Sequence, residues 1–257
     1  MGCCFSNEND SEPSTRSNLL NGQQRKYVEN TGTTEPRSAR QHRPPTKSDS
    51  SEGDIDDSIV PTMKRLAIES MSKTFQDQER LYNEILTNYH EMVRDMDGFK
   101  STFHKDTSGI PELPRCVRIL VERCGKAPLD VERRKNCVQI VFSEKNIMTN
   151  AVADPHDVLK SIQLFNSLNK HLEKVLEHSQ HIQNSINLIV HDEEAMRLRI
   201  TKSSLPPAEG TETLHHFIEN IKTLENMRKN IGRMKKNCEA KLKDIIESSK
   251  GFFENSN

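Results

Sequence analysis

The sequence predicts an all-α protein of long, amphipathic, coiled-coil-forming helices preceded by a disordered N-terminal tether. Only 33% of the residues are hydrophobic and 29% are charged, whereas globular domains are usually about 45–50% apolar when glycine is counted. The apolar residues after position 57 recur at steps of three and four, the spacing of one stripe along a helix. Helices that bury only a narrow stripe account for both observations.

Residues 1–57 are predicted to be a disordered, acylated tether. They are rich in Ser, Thr, Asn, Glu, Arg and Pro, with only scattered apolar residues. Such a segment buries too little apolar surface to offset the entropy of ordering its backbone.

The first residues, MGCCFS, predict lipidation. Removal of Met1 exposes Gly2, and a serine follows at position 6, as the template for N-myristoylation requires. One myristoyl chain binds membranes only marginally, so stable anchoring takes a second signal. Cys3 and Cys4 supply it as adjacent palmitoylation sites, and we expect the chain to bind a membrane through these acyl groups.

A long amphipathic helix is predicted over residues 58–104. Pro61 suits its first turn, where a missing N–H is no loss. Large apolar residues recur every seven positions: Phe75, Tyr82, Tyr89, Met96 and Phe103.

Residues 105–153 are predicted to be a connector with little regular periodicity. The segment RCVRILVERCG favours a short helix ending at Gly125. The segment NCVQIVF is strand-like in composition, but no partner strand is evident in the sequence.

A coiled-coil helix is predicted over residues 154–201. Asp154 is a good N-cap and Pro155 fits the first helical position. Two positions on the stripe are polar, Ser179 and Glu193. They either specify register or partner at some loss of stability, or they are solvated. The stripe includes Phe165, Leu172 and Ile186.

The segment 202–210 contains two adjacent prolines and is predicted to be a loop, because proline cannot continue a helix. A second coiled-coil helix is predicted over residues 211–253. Its apolar residues keep a strict period of seven: Phe217, Leu224, Ile231, Cys238 and Ile245. A sustained heptad repeat favours a supercoiled seam, so this stripe and the one at 154–201 are predicted to bind partner helices.

The chain is predicted not to be an enzyme and not to bind nucleic acid or a cofactor. The net charge of −1 offers no bulk attraction to nucleic acid. The phosphate-binding and nucleophile-elbow motifs GxxxxGK[ST], GxGxxG and GxSxG are absent from the sequence. No apolar run approaches the ~20 residues of a membrane span and no secretory signal is seen, so the chain is expected to face the cytosol.

No metal site is predicted. Glu177, His178 and His181 share one face of a helix, but Lys174 lies one turn away and opposes a cation. The adjacent pair at 215 and 216 is expected to diverge around its helix. The four cysteines at 116, 124, 137 and 238 lack paired ligand spacing and are interpreted as small buried hydrophobes.

Two resemblances suggest a cellular role. The start MGCC, followed by Ser and an acidic run, resembles the membrane anchor of Ragulator, a lysosomal scaffold. The segments INLIVHDEEAMRLRITK and LENMRKNIGRMKKN are similar in order and character to the helical half of the myrlysin-like acylated subunits of the BLOC-one-related complex (BORC). This second resemblance spans roughly residues 160–250. It implies recruitment of an Arl-family small GTPase to lysosomes and coupling to kinesin.

These observations predict a lipid-anchored adaptor subunit of a multi-subunit helical complex on the cytosolic face of lysosomes or related vesicles. Its expected partners are the membrane, other helical subunits and, through the resemblance, an Arl-family small GTPase. Two alternatives remain from the sequence: a Ragulator-type signalling scaffold and a homodimeric coiled coil at the plasma membrane.

Overall fold

The computed structural model of the chain describes residues 61–106, 109 and 111–250. Within these residues the fold is mostly helical, with six α-helices and one small antiparallel sheet of two strands. The predicted helical class is therefore confirmed. The tether predicted at 1–57, with Gly2, Cys3 and Cys4, lies outside the described residues, and so does the predicted end of the last helix at 253.

The chain forms three long helices, and a small segment of helices and strands is inserted after the first of them. A short 3-10 turn, His104–Asp106, follows α1. In chain order the elements are α1 (Glu69–Ser101), α2 (Leu113–Cys124), β1 (Asp130–Arg134), β2 (Cys137–Val141), α3 (Glu144–Asn150), α4 (Pro155–His191), α5 (Glu193–Thr201) and α6 (Pro207–Ser248).

The helices α1 and α6 run parallel to each other. The rings of Phe75 and Phe217 meet edge to face with centroids 5.8 Å apart. Further along both helices, Asn237 Nδ2 donates to the hydroxyl of Tyr89 at 2.7 Å. Because residue numbers rise together on the two helices, the chain must return between them, and α4 provides that return.

The helix α4 is antiparallel to α1 and packs against both long neighbours. Gln78 near the start of α1 donates from Nε2 to Ser185 Oγ at 3.0 Å. At the other end of α1, Phe99 and Phe165 lie with ring centroids 5.8 Å apart. The result is a three-helix bundle with its apolar stripes turned inward.

The first helix begins later than predicted. Residues 61–68 are not helical, and α1 starts at Glu69. This stretch, called the N-terminal strap, lies against the bundle because Met63 and Leu66 are buried at 6% and 2% exposure. The predicted start at 58, with Pro61 in the first turn, is therefore wrong.

The strap replaces helical hydrogen bonds with bonds to side chains. Asn220 of α6 accepts from Lys64 N at 2.7 Å and donates from Nδ2 to Lys64 O at 2.8 Å. Glu79 Oε2 accepts from Met63 N at 3.0 Å. Buried backbone groups must be paired, and these side chains pair them without a helix.

The strand-like segment at 137–141 does have a partner. It forms β2 and pairs with β1, with Val131 opposite Ile140. Its other edge is covered by α4, where Asn166 Oδ1 accepts from Ile140 N at 2.9 Å and Asn166 Nδ2 donates to Ile140 O at 2.7 Å. The region predicted to be a connector is thus a hairpin flanked by two helices.

The helix predicted over 154–201 is divided in two. Its start is as expected, since the Asp154 side chain accepts from His156 N at 2.9 Å. It ends at His191, and after Asp192 a second helix, α5, begins. The predicted loop at 202–210 is shorter, because α6 already starts at Pro207.

Candidate functional site

The residues predicted to bind partner helices lie inside the chain's own core. All eight side chains have 0% exposure: Phe165, Leu172, Ile186, Phe217, Leu224, Ile231, Cys238 and Ile245. The stripes of α1, α4 and α6 cover one another, so no part of this seam is available to a second chain. The prediction that it binds partners is wrong.

The physical reason is that the three stripes belong to one chain. Helices of one chain meet at an effective concentration set by their connections, which does not depend on the supply of a separate subunit. The stripe of α1, which includes Phe75 and Met92 at 0% exposure, completes the core that two helices alone would leave open.

Polar pairs set the register inside the bundle. Asn230 Nδ2 donates to the Tyr82 hydroxyl at 3.3 Å, seven residues before the pair formed by Asn237 and Tyr89. Bonds of this kind are lost if α6 slides along α1, so they specify one alignment.

The two polar stripe positions have different environments. Ser179 is fully buried, and its hydroxyl donates to the carbonyl of Val175 one turn earlier. Glu193 is partly exposed and pairs with Arg197 at 2.7 Å. The interpretation of Ser179 as a solvated position is therefore wrong, since its hydroxyl is buried and hydrogen-bonded within its own helix.

A half-buried polar cluster joins α1 to α4. Ser167 Oγ donates to Asp95 Oδ2 at 2.5 Å. His171 Nδ1 lies 3.1 Å from Asn88 Oδ1, and His171 Nε2 lies 3.8 Å from Asp95 Oδ2. The residue types match a catalytic triad, but the serine hydroxyl is bonded to the carboxylate and not to the imidazole that would activate it. The contacts of this cluster link α1 to α4 and do not have the order of a catalytic triad.

Burial lowers the pKa of His171, and this effect exceeds the opposing attraction of Asp95. A histidine whose pKa is lower in the folded chain stabilises the fold at pH values above the unfolded pKa of about 6.5. That contribution is lost as the pH falls through the folded pKa, because the unfolded chain binds the extra proton more readily.

We therefore expect the free energy of unfolding to decrease as the pH is lowered from 7.5 to 5, and to decrease less steeply in His171→Gln. Urea unfolding followed by circular dichroism measures both slopes. His178→Gln is the matched control, since this imidazole is exposed on the same helix. Equal slopes in wild type and His171→Gln would exclude His171 as the source.

The four described cysteines are free thiols in the interior. Burial raises the pKa of Cys238 to about 12 and that of Cys116 to about 11. Thiols held in the neutral form are poor nucleophiles and poor metal ligands. The interpretation as small buried hydrophobes is confirmed for Cys116, Cys124, Cys137 and Cys238.

The face of α4 that carries Glu177, His178 and His181 does not bring its ligand atoms together as a metal site would, among the residues that the structure describes. Among the described residues, one group of His, Cys, Asp or Glu brings its ligand atoms within metal-binding reach, and it lies on the third and fourth turns of α6. It contains the adjacent histidines that were expected to diverge. The sequence does contain an indication of this group, because Glu219 follows His215 by one helical turn.

Large exposed apolar side chains flank the joint between α4 and α5. Leu188 is 66% exposed and Leu198 is 52% exposed; they are called the joint patch. A second exposed group lies on the insertion: Val141, Met148 and Val152. Single exposed apolar residues are ordinary on protein surfaces.

No helix in the described part of the chain combines the length and apolar character needed to cross a bilayer. Comparison with known proteins found no matching family model, no matching curated protein and no matching solved structure.

Proposed function

We propose that the chain is a non-enzymatic, lipid-anchored adaptor that holds helical partners on the cytosolic face of lysosomes or related vesicles. The observation that carries this proposal is the joint presence of an acylation template at residues 2–6 and a bundle that buries its apolar stripes within one chain. In this proposal the bundle folds without a partner chain, and its outer surface is available to bind other proteins.

The anchor in this proposal is made of two kinds of acyl chain. Gly2 carries myristate, and Cys3 and Cys4 carry palmitate. Two or more chains together anchor stably where one is marginal.

Residues 5–57 act in this proposal as a disordered spacer. A flexible chain of this length has a root-mean-square span of about 40 Å. The bundle is thereby kept near the membrane but free to turn, which suits a protein that collects partners.

The bundle itself is proposed to be an intramolecular coiled coil. Support comes from the pairs Tyr82–Asn230 and Tyr89–Asn237, which repeat at seven-residue intervals on two parallel helices. Packing of helices at this period is typical of coiled coils.

The partner surface is proposed to be the joint patch. Leu188 on α4 and Leu198 on α5 are the most exposed large apolar residues on the described helices, and both fall within INLIVHDEEAMRLRITK. The occupant is a helical subunit of the kind that BORC assembles, and the complex would recruit an Arl-family small GTPase and kinesin-linked transport.

We expect affinity purification of the full-length chain, followed by mass spectrometry, to recover small helical subunits. The double variant Leu188→Glu with Leu198→Glu should lose them, because two carboxylates cannot be desolvated against an apolar partner. Met148→Glu is the matched control and should keep them, because Met148 is an exposed apolar residue on α3.

Other outcomes contradict specific parts of the proposal. Recovery of roadblock-type subunits would favour a signalling scaffold of the Ragulator type. Recovery of this chain alone would favour a homodimer. Unchanged recovery with the double variant would show that partners bind elsewhere than the joint patch.

A further inference from the structure

Three metal-ligating side chains converge on the third and fourth turns of α6, where the N-terminal strap crosses it. The ligand atoms of His215, His216 and Glu219 all lie within 4.8 Å of one another. We propose that these residues form a binding site for a zinc-class transition-metal ion. This site is independent of the adaptor function and of the lipid anchor.

The donor set selects the class of metal. Two imidazole nitrogens and one carboxylate oxygen are a common set for Zn²⁺. Imidazole also suits Cu²⁺ and Ni²⁺, whereas Mg²⁺ and Ca²⁺ prefer oxygen ligands alone. Three protein ligands leave at least one coordination position for water.

The helix spacing brings the donors close. Glu219 lies four residues after His215 and three after His216, so both histidines share a face with it. His215 Nδ1 is 3.7 Å from Glu219 Oε2. Tetrahedral zinc with bonds of about 2.0–2.1 Å places its ligand atoms roughly 3.3 Å apart.

Zinc binding would require only a small movement of these ligand atoms, and the exposed side chains can rotate to make it. The side chains of His215 and Glu219 are 71% and 43% exposed, so they can rotate without disturbing the core. The two imidazole rings have centroids 6.2 Å apart.

One ligand is already oriented by the strap. His216 Nδ1 lies 3.2 Å from the carbonyl oxygen of Arg65. A carbonyl can only accept, so Nδ1 carries the proton and Nε2 carries the lone pair. Histidines that bind metals characteristically donate their other ring N–H to a carbonyl or carboxylate, which fixes the ring and its tautomer.

The strap carbonyl is held in place by its neighbours. Asn220, next to Glu219 in the chain, makes both hydrogen bonds to the backbone of Lys64. The guanidinium of Arg65, a cation of the strap, pairs with Glu69 at 3.6 Å. A bound ion would therefore fasten α6 to the strap through His216.

Titration of the purified full-length chain, without a histidine tag, with Zn²⁺ in a calorimeter tests the site. We expect one ion per chain and an unfolding temperature that rises with added Zn²⁺, because an ion bound only by the folded state stabilises it. His215→Ala should weaken binding by at least about tenfold, because loss of an outer-shell partner of a ligand already costs that much and His215 is a direct ligand.

His215 is the informative position because its side chain is mostly exposed and its removal leaves the fold intact. Circular dichroism of His215→Ala without metal should match wild type. Glu219→Gln should also weaken Zn²⁺ binding. The double variant His178→Ala with His181→Ala, a matched pair of exposed imidazoles on α4, should bind as wild type does.

Three results would overturn the proposal. These are an absence of Zn²⁺ uptake by wild type, unchanged Zn²⁺ binding by His215→Ala, and an equal loss of affinity in the α4 double variant and in His215→Ala. The last outcome would show scattered surface binding.

Discussion

Replacement of Ile231 by Asp is expected to unfold the helical bundle. Ile231 is fully buried among α1, α4 and α6, and the new carboxylate would have no partner there. A buried unpaired charge costs about 3–5 kcal/mol, and domains are stable by only about 5–15 kcal/mol. Urea unfolding followed by far-ultraviolet circular dichroism measures the loss.

Lys229→Asp is the matched control. Lys229 lies on the same helix, but its side chain is exposed. A surface substitution of this kind changes stability by within about 0.5 kcal/mol. If the two variants are equally stable, or if Ile231→Asp stays folded and only loses partners, the buried seam is wrongly assigned to the interior of one chain.

Replacement of Gly2 by Ala is expected to move the chain from membranes into the soluble fraction. Myristate is attached to the amino group of a glycine exposed by removal of Met1, and alanine does not provide it. The adjacent cysteines then also lose their access to membrane-bound palmitoyl transferases. Centrifugation of cell membranes, with the chain quantified in pellet and supernatant, measures the shift.

The double variant Cys3→Ser with Cys4→Ser separates the two kinds of acyl chain. One myristoyl group remains, with an association constant on the order of 10⁴ M⁻¹, so binding should be weak and reversible. Unchanged membrane residence would indicate that a protein partner supplies the second signal. A Gly2→Ala chain that still pellets would exclude myristate as the primary anchor.

The stripes identified the core but not what covers it. The seven-residue period of Phe217, Leu224 and Ile231 correctly marks buried positions, because periodicity reports which face is apolar. It carries no information on whether the facing helix belongs to the same chain. That answer depends on the length and direction of the connections, which the pattern does not contain.

The strap and the hairpin were missed because distant side chains stabilise them. The backbone of Lys64 is paired by Asn220, which is 156 residues away in the chain. The strand β1 has the sequence DVERR, and four of its five residues are exposed. Its partner strand β2 is hydrogen-bonded by Asn166 of α4. The residues next to Lys64 and β2 in the sequence do not indicate either of these contacts.

The candidate sites divide in the same way. Lipidation at Gly2, Cys3 and Cys4 is a property of local sequence, and no fold is needed to propose it. The grouping at 215, 216 and 219 has a readable spacing on one helix. The carbonyl of Arg65 that orients His216 is visible only once the strap is placed against α6.

Flotation of membranes from cells tests most directly the claim that one chain links a membrane to helical partners. The partners recovered with the wild-type chain are quantified in the floated fraction, with wild type and with Gly2→Ala. We expect the partners to float with wild type, and to remain bound to Gly2→Ala at the bottom of the gradient. Partners that float equally in both cases would contradict the account, because their membrane attachment would not depend on this chain.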